Sequence, residues 1–157
     1  MLNRLFKTIL WTASLALTLT LAQAGPDFSG TWKMNVAKSD FGPAPAPEEL
    51  TRVIKQADPN LDIKTHQKGA QGEVNTELKY TTDGKPCVNK VNGSEAKGTA
   101  KWEGDNLVID STRDFQGMVL RSKETWTLTD GGKTLLINNH IAVPQGEFDL
   151  KMVLEKQ

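Results

Sequence analysis

Residues 101–126 read KWEGDNLVIDSTRDFQGMVLRSKETW, and two turn signals divide this stretch into short segments. The signals are Glu103-Gly104 and Gln116-Gly117, and the segments around them alternate apolar and polar residues. Alternation with a period of two is typical of a β-strand with one buried face, and glycine-containing pairs close tight hairpins. The stretch therefore predicts consecutive antiparallel hairpins.

The same pattern continues on both sides of this stretch. Further turn signals follow at near-even intervals: Asp83-Gly84, Asn92-Gly93, Asp130-Gly131-Gly132 and Pro144-Gln145-Gly146. We predict an all-β fold, an up-and-down antiparallel meander closed into a barrel of about ten strands, with eight to ten as the range. The predicted strands cover about residues 30–35, 51–57, 61–67, 73–82, 86–91, 96–102, 106–115, 118–129, 133–142 and 147–156.

One stretch, Val36 to Leu50, lacks this alternation and contains Pro43, Pro45 and Pro47. Alternating prolines disfavour a helix and lack the N–H donors that a central strand needs. We predict an extended strap across one end of the barrel.

The turns also predict which side chains face inward, because residues directly opposite each other on paired strands share a face. The last four predicted hairpins all select the same inner face. Its apolar end contains Trp102, Leu107, Trp126, Ile137 and Met152.

The two earlier hairpins extend the inner face. A turn at Asp83-Gly84 would place Tyr80 opposite Cys87. If Asn92 to Glu95 form the next turn, Asn89 lies opposite Gly98.

Further along the inner face the side chains are small, and these are Ala96, Gly98, Ala100, Ser111 and Ser122. Small inward residues leave volume that must be filled, because proteins rarely keep empty apolar space. We predict a cavity that holds water or a ligand. The predicted ligand-binding residues are Tyr80, Asn89, Arg113, Ser122, Glu124 and Asn139.

Charged groups at inward positions are costly unless they are paired or hydrated. Arg113 and Glu124 could therefore orient the polar head of a ligand. Alternatively, Arg113 lies at the rim, or a β-bulge turns it outward.

The beginning of the chain resembles a secretory signal peptide. Arg4 and Lys7 precede an uncharged apolar run, Ile9 to Leu21, and Ala22-Gln23-Ala24 supplies a cleavage pattern before Gly25. The run is shorter than the roughly 20 residues that span a bilayer. We predict a signal peptide over residues 1–24, one barrel domain over residues 25–157, and export to a bacterial periplasm or the extracellular space.

Composition limits the function classes. The full chain has 19 basic and 19 acidic residues, and removing Arg4 and Lys7 leaves a net charge near −2. No basic patch favours nucleic acid, and no second apolar run favours membrane spanning after cleavage. Cys87 is the only cysteine, so no internal disulfide is possible.

Two short motifs resemble the calycin superfamily, which includes the lipocalins and the fatty-acid-binding proteins. Gly30-Thr31-Trp32 opens the predicted barrel as the Gly-x-Trp motif does in those families. Lys101-Trp102-Glu103-Gly104 is similar to a hairpin of the fatty-acid-binding group. The resemblance implies an up-and-down barrel in which Trp32 plugs the closed end. Trp102 and Trp126, at the apolar end of the inner face, would complete this plug.

The chain departs from the fatty-acid-binding group in two respects. That group closes its barrel with two helices after the first strand, where this chain has the proline-containing stretch. That group also binds carboxylates with an Arg-x-Tyr pair on the last strand, where this chain has Met152 and Leu154. A fatty-acid-binding function therefore does not carry over.

The sequence offers no convincing catalytic group, metal site or cofactor. His66 and His140 alternate with inward residues and should face solvent on separate strands. Cys87 has no histidine on its face and is interpreted as a small buried residue.

Three function classes remain open. The first is an exported protein that binds a small apolar or amphipathic molecule inside the barrel. The second is a secreted interaction or inhibitor module with a protein partner and no small ligand. The third is an enzyme, which the missing acid–base pair disfavours.

Overall fold

The computed structural model describes residues 25–70 and 72–157; the predicted signal peptide lies outside the described residues. The strands are β1 Gly30–Met34, β2 Glu49–Ala57, β3 Asn60–Gly69, β4 Gly72–Thr81, β5 Cys87–Val91, β6 Ser94–Glu103, β7 Asn106–Phe115, β8 Met118–Thr129, β9 Thr134–Val143 and β10 Gly146–Lys156. Two 3-10 helices, Val36–Lys38 and Asp130–Gly132, are the helical elements of this described part. Every predicted strand is confirmed, with bounds that differ by no more than two residues.

All ten strands form one antiparallel sheet in the order β4-β3-β2-β1-β10-β9-β8-β7-β6-β5. The order confirms the up-and-down meander, and β1 pairs with β10, which joins the first strand to the last. The barrel is nearly closed, because the edge strands β4 and β5 lie side by side without a ladder between them. In the described residues, no helix combines the length and apolar character needed to cross a membrane.

The register of the last four hairpins is confirmed. Leu107 lies opposite Trp126, and Trp126 lies opposite Ile137. Ile137 lies opposite Met152, and Trp102 lies opposite Leu107. Each tight turn fixes the pairing of the strands that follow it, which is why the sequence predicts these partners correctly.

The predicted pairing of Tyr80 with Cys87 is wrong. The loop after β4 turns to β6 instead, where Asp83 forms a bridge with Lys101 and the Gly84 N–H donates to the Ala100 carbonyl at 2.9 Å. The loop thus occupies the C-terminal end of β6 as its partner. β5 pairs with β6 only from Cys87 opposite Gly98 onward, and it forms no ladder with β4. We call this boundary between β4 and β5 the seam.

The predicted pairing of Asn89 with Gly98 is also wrong, by two residues. Asn92 and Gly93 have φ angles of 51° and 83° and form a two-residue turn, so Val91 lies opposite Ser94. Positive φ at both central residues is the backbone of a tight type I′ hairpin. Asn89 therefore lies opposite Ala96, and a shift of two residues keeps it on the inner face.

Aromatic side chains fill the closed end of the barrel. Trp32 and Trp126 are fully buried, whereas Trp102 is partly buried. Phe28, which the sequence analysis missed, stacks on Trp102 at 5.8 Å and meets Trp126 edge-on at 5.6 Å. Gly25 lies so close to Trp102 that an added Cβ would be 2.6 Å from its indole ring. The segment before β1 thus completes the plug.

The strap, residues 35–48, connects β1 to β2 across the opposite end, which we call the mouth. Its first part is the 3-10 helix Val36–Lys38, and the last two residues of the predicted stretch belong to β2. It is attached to β10 through a bridge between Asp40 and Lys151, and to β3 through the Glu48 N–H, which donates to the Lys68 carbonyl at 2.9 Å. Phe41, Ala44, Pro45 and Pro47 contribute to the cavity beneath it.

Candidate ligand-binding site

A cavity of about 370 Å³ lies inside the barrel, between the strap and the aromatic plug. Cavities of roughly 300–1,000 Å³ are typical of small-molecule sites. Strands from both halves of the chain line it, together with the strap, so the complete barrel is needed to build it.

The small-residue surface predicted from the sequence is present in part. Ala96, Ser111 and Ser122 line the cavity, and Ala100 is fully buried in the core. The expectation that Gly98 leaves cavity volume is wrong. A Cβ on Gly98 would lie 2.5 Å from the Asp110 carbonyl oxygen, so the backbone of β7 already occupies that space.

The polar floor of the cavity is a cluster of three side chains, Arg52, Glu124 and Trp126. Arg52 Nη1 lies 3.4 Å from Glu124 Oε2, and Trp126 Nε1 donates to the same oxygen at 2.7 Å. The Arg52 guanidinium is also 5.3 Å from the Trp126 ring centroid. The Arg52 and Glu124 side chains are only 10% and 20% exposed, which strengthens their attraction relative to a surface pair.

Arg52 was missed by the sequence analysis, although a signal exists. It alternates with Leu50 and Ile54, two buried apolar residues of the same strand, so its parity alone places it inward. Its Nε donates to Thr65 Oγ1 at 3.2 Å, which fixes the guanidinium against β3.

Tyr80 and Asn139 extend the polar lining near the floor. Burial, together with the nearby Glu124 carboxylate, raises the pKa of Tyr80 to about 12. Tyr80 therefore stays a neutral hydroxyl that can donate or accept a hydrogen bond. Ser122 Oγ donates to Asn139 Oδ1 at 2.7 Å, so these two predicted site residues form one unit in the cavity wall.

Asn89 faces inward, but its side chain forms its hydrogen bonds at the seam. Its Oδ1 accepts from the Lys79 N–H at 2.7 Å, and its Nδ2 donates to the Lys79 carbonyl at 3.0 Å. The side chain thereby replaces the missing ladder between β4 and β5. Asn89 is not among the residues that line the cavity.

Arg113 lines the cavity near the mouth. The β7–β8 ladder is regular through Arg113, which lies opposite Leu120, so the alternative of a bulge that turns it outward is wrong. Its guanidinium lies 5.4 Å from the Phe115 ring centroid, and partial burial lowers its pKa. Among residues 25–70 and 72–157, no carboxylate lies within ion-pair distance of Arg113.

The two histidines lie outside the cavity, on different strands. His66 contacts Asn75, and His140 contacts Asp149 at 2.8 Å through Nδ1. The hydrogen bond to Asp149 raises the pKa of His140. Across the described ranges, no group of three or more His, Cys, Asp and Glu side chains is placed to hold a metal ion. Cys87 is a free thiol of intermediate exposure, packed against the core.

Comparison with known proteins identifies the fold. No protein-family model and no curated protein sequence matches the chain. A secretory abundant heat soluble protein from Ramazzottius varieornatus is similar in structure, with a TM-score of 0.61, 12% identity, and coverage of 85% of this chain and 98% of that one.

Two further solved structures share the architecture. Zebrafish ileal bile acid-binding protein complexed with cholic acid gives a TM-score of 0.58 at 20% identity, covering 83% of this chain and 98% of that one. Human cRBP IV gives a TM-score of 0.51 at 15% identity, and the match covers 84% of this chain and 99% of that one. The chain therefore has the calycin-like barrel fold that its Gly-x-Trp motif predicts.

Proposed function

We propose that this chain is an exported binding protein that holds a small amphipathic molecule inside its barrel. The observation that carries the proposal is the cavity between the strap and the plug, whose wall is apolar and whose floor is polar. Such a combination recognises a molecule with a hydrophobic body and a few polar groups.

The apolar wall is extensive enough to bind the body of such a molecule. Leucine, isoleucine and methionine side chains from four strands face the cavity: Leu78, Leu120, Ile141, Leu150 and Met152. Burying apolar ligand surface against them contributes about 25 cal/mol per Å². The polar groups at the floor would then determine the orientation of the ligand.

The structural neighbours support binding more than catalysis. The zebrafish protein is a bile acid-binding protein and was solved with cholic acid. The two histidines of this chain lie on the outer surface, away from the cavity. We propose neither a catalytic role nor a cofactor for this protein. Extraction of the purified protein under denaturing conditions would identify the ligand.

Filling the cavity should abolish binding. Ala96 lines the cavity and is buried, and its methyl group makes no hydrogen bond, so Ala96→Leu adds apolar volume without removing a polar contact. We expect the neutral apolar probe N-phenyl-1-naphthylamine to bind the parent protein and to bind Ala96→Leu at least about tenfold more weakly, since overpacking costs roughly 1–3 kcal/mol. The measurement is a fluorescence titration.

The matched control is Thr112→Leu, which adds a similar apolar group at an exposed position on the outer face of β7. This variant should bind the probe as the parent does. Equal binding by a folded Ala96→Leu variant would place the probe outside the barrel. A parent protein that binds no probe would instead favour the interaction module, with a protein partner contacting the strap and the turn tips.

Export is tested separately, by expressing residues 1–157 in a Gram-negative bacterium. We expect periplasmic protein whose first residue is Gly25. Ala24→Arg should block processing because the last position before cleavage requires a small residue, whereas Gln23→Arg lies at the tolerant middle position. N-terminal sequencing of the periplasmic and cytoplasmic fractions measures this, and protein that keeps Met1 in the cytoplasm would remove the export proposal.

A further inference from the structure

We infer that the ligand carries one acidic group, which binds the Arg113 guanidinium at the mouth of the barrel. The inference rests on the proposed function, because it specifies the chemistry of the molecule that the cavity holds. Arg113 lies on β7, a different strand from β10, which carries Met152 and Leu154.

The charges in the cavity do not balance without a ligand. Arg52 and Glu124 form an ion pair at the floor and neutralise each other. Arg113 adds a second cation to the cavity wall, and no carboxylate of the described residues is paired with it. A partly buried cation without a counterion is unfavourable, so an anionic group of the ligand would restore the balance.

The geometry of Arg113 leaves its hydrogen-bond donors available. Its planar guanidinium lies over the Phe115 ring, with Cζ 5.4 Å from the ring centroid. The N–H donors point from the edge of that plane, in the fork arrangement that suits a carboxylate, sulfonate or phosphate. Among the described residues, the arginine side-chain hydrogen bonds are those of Arg52, and none is made by Arg113.

The position of Glu124 limits the ligand to one acidic group with a defined orientation. On β7, Arg113 lies four residues from Ile109, which faces Glu124 on β8. At about 3.4 Å per residue, the two charged levels are separated by roughly 14 Å along the strand. An anion near Arg113 avoids the Glu124 carboxylate, whereas a second anion at the floor would find no free cation, because Arg52 is already paired with Glu124. The acidic group therefore lies at the mouth and the apolar body lies below.

Two probes with the same ring skeleton test this inference. 1-Anilinonaphthalene-8-sulfonate carries a sulfonate that N-phenyl-1-naphthylamine lacks, so a comparison of the two isolates the negative charge. We expect Arg113→Met to weaken binding of the sulfonate probe by about tenfold or more, because the charge-assisted hydrogen bonds to the guanidinium are lost. Binding of the neutral probe should change by less than about twofold.

Two further variants make the result specific to the cation at this position. Arg113→Lys keeps the charge and should retain most of the affinity for the sulfonate probe. Arg121→Met removes an exposed arginine from the outer face of β8 and should leave the affinity for both probes unchanged. Far-UV circular dichroism and the urea midpoint confirm that each variant is folded.

The outcomes separate the inference from the proposed function. Unchanged sulfonate binding in folded Arg113→Met, with the neutral probe still bound, overturns the acidic ligand and leaves the barrel as a binding site. An equal loss of affinity for both probes also overturns the acidic ligand, because the negative charge of the probe would then not affect its binding. Failure of the parent protein to bind either probe removes the proposed function itself.

Discussion

Trp32→Ala should lower the free energy of unfolding by about 3–5 kcal/mol, the range for large truncations in a packed core. Trp32 is fully buried, and its Nε1 donates to the Phe28 carbonyl at 2.9 Å. The Lys156 ammonium lies 5.2 Å from its ring centroid, so the side chain also joins β1 to β10. The truncation would leave a cavity at the closed end and detach the segment that carries Phe28. Urea unfolding followed by far-UV circular dichroism measures the change.

Phe115→Ala is the matched control, because it truncates an aromatic side chain that is 41% exposed at the end of β7. We expect this variant to stay within about 0.5 kcal/mol of the parent, as is usual for exposed positions. If the two variants unfold at the same urea concentration, the closed end does not depend on Trp32 as its packing centre.

The sequence predicts the second half of the barrel more completely than the seam, because the register of the later strands depends on short turns between neighbouring strands. The register of β7 with β8 follows from one two-residue turn, Gln116-Gly117, and the alternation of the flanking residues. Each later hairpin adds the same kind of constraint. The inward direction of Arg113 and Glu124 could therefore be predicted without knowledge of any distant contact.

The seam and the floor depend on contacts between residues far apart in the sequence. The Asp83 bridge to Lys101 displaces β5 from β4, and no local pattern around Asp83-Gly84 indicates that choice. The crowding at Gly98 likewise arises from the backbone of the next strand, which alternation alone cannot reveal. Arg52 meets Glu124 across the barrel, at a separation of 72 residues. Such partners become visible only after the barrel has closed.

Arg52→Met should be the second strongly destabilising change, lowering the free energy of unfolding by about 3 kcal/mol. Removing one partner of a buried ion pair costs roughly 3–5 kcal/mol, and the 20% exposure of the Glu124 side chain favours the lower end. Methionine retains the unbranched apolar stem of arginine without its guanidinium, so most of the loss comes from the carboxylate that is left unpaired. Urea unfolding at neutral pH measures the difference from the parent protein.

The Arg52→Met/Glu124→Gln double variant should recover part of this loss. Glutamine removes the charge but keeps a side-chain oxygen that can accept the Trp126 N–H. A double variant that is more stable than Arg52→Met alone shows that the unpaired charge was destabilising. Equal stability of the two would mean that water in the cavity hydrates Glu124 without Arg52. The ion pair would then contribute little to folding, and its place at the floor would favour a role in binding the molecule that we propose for the cavity.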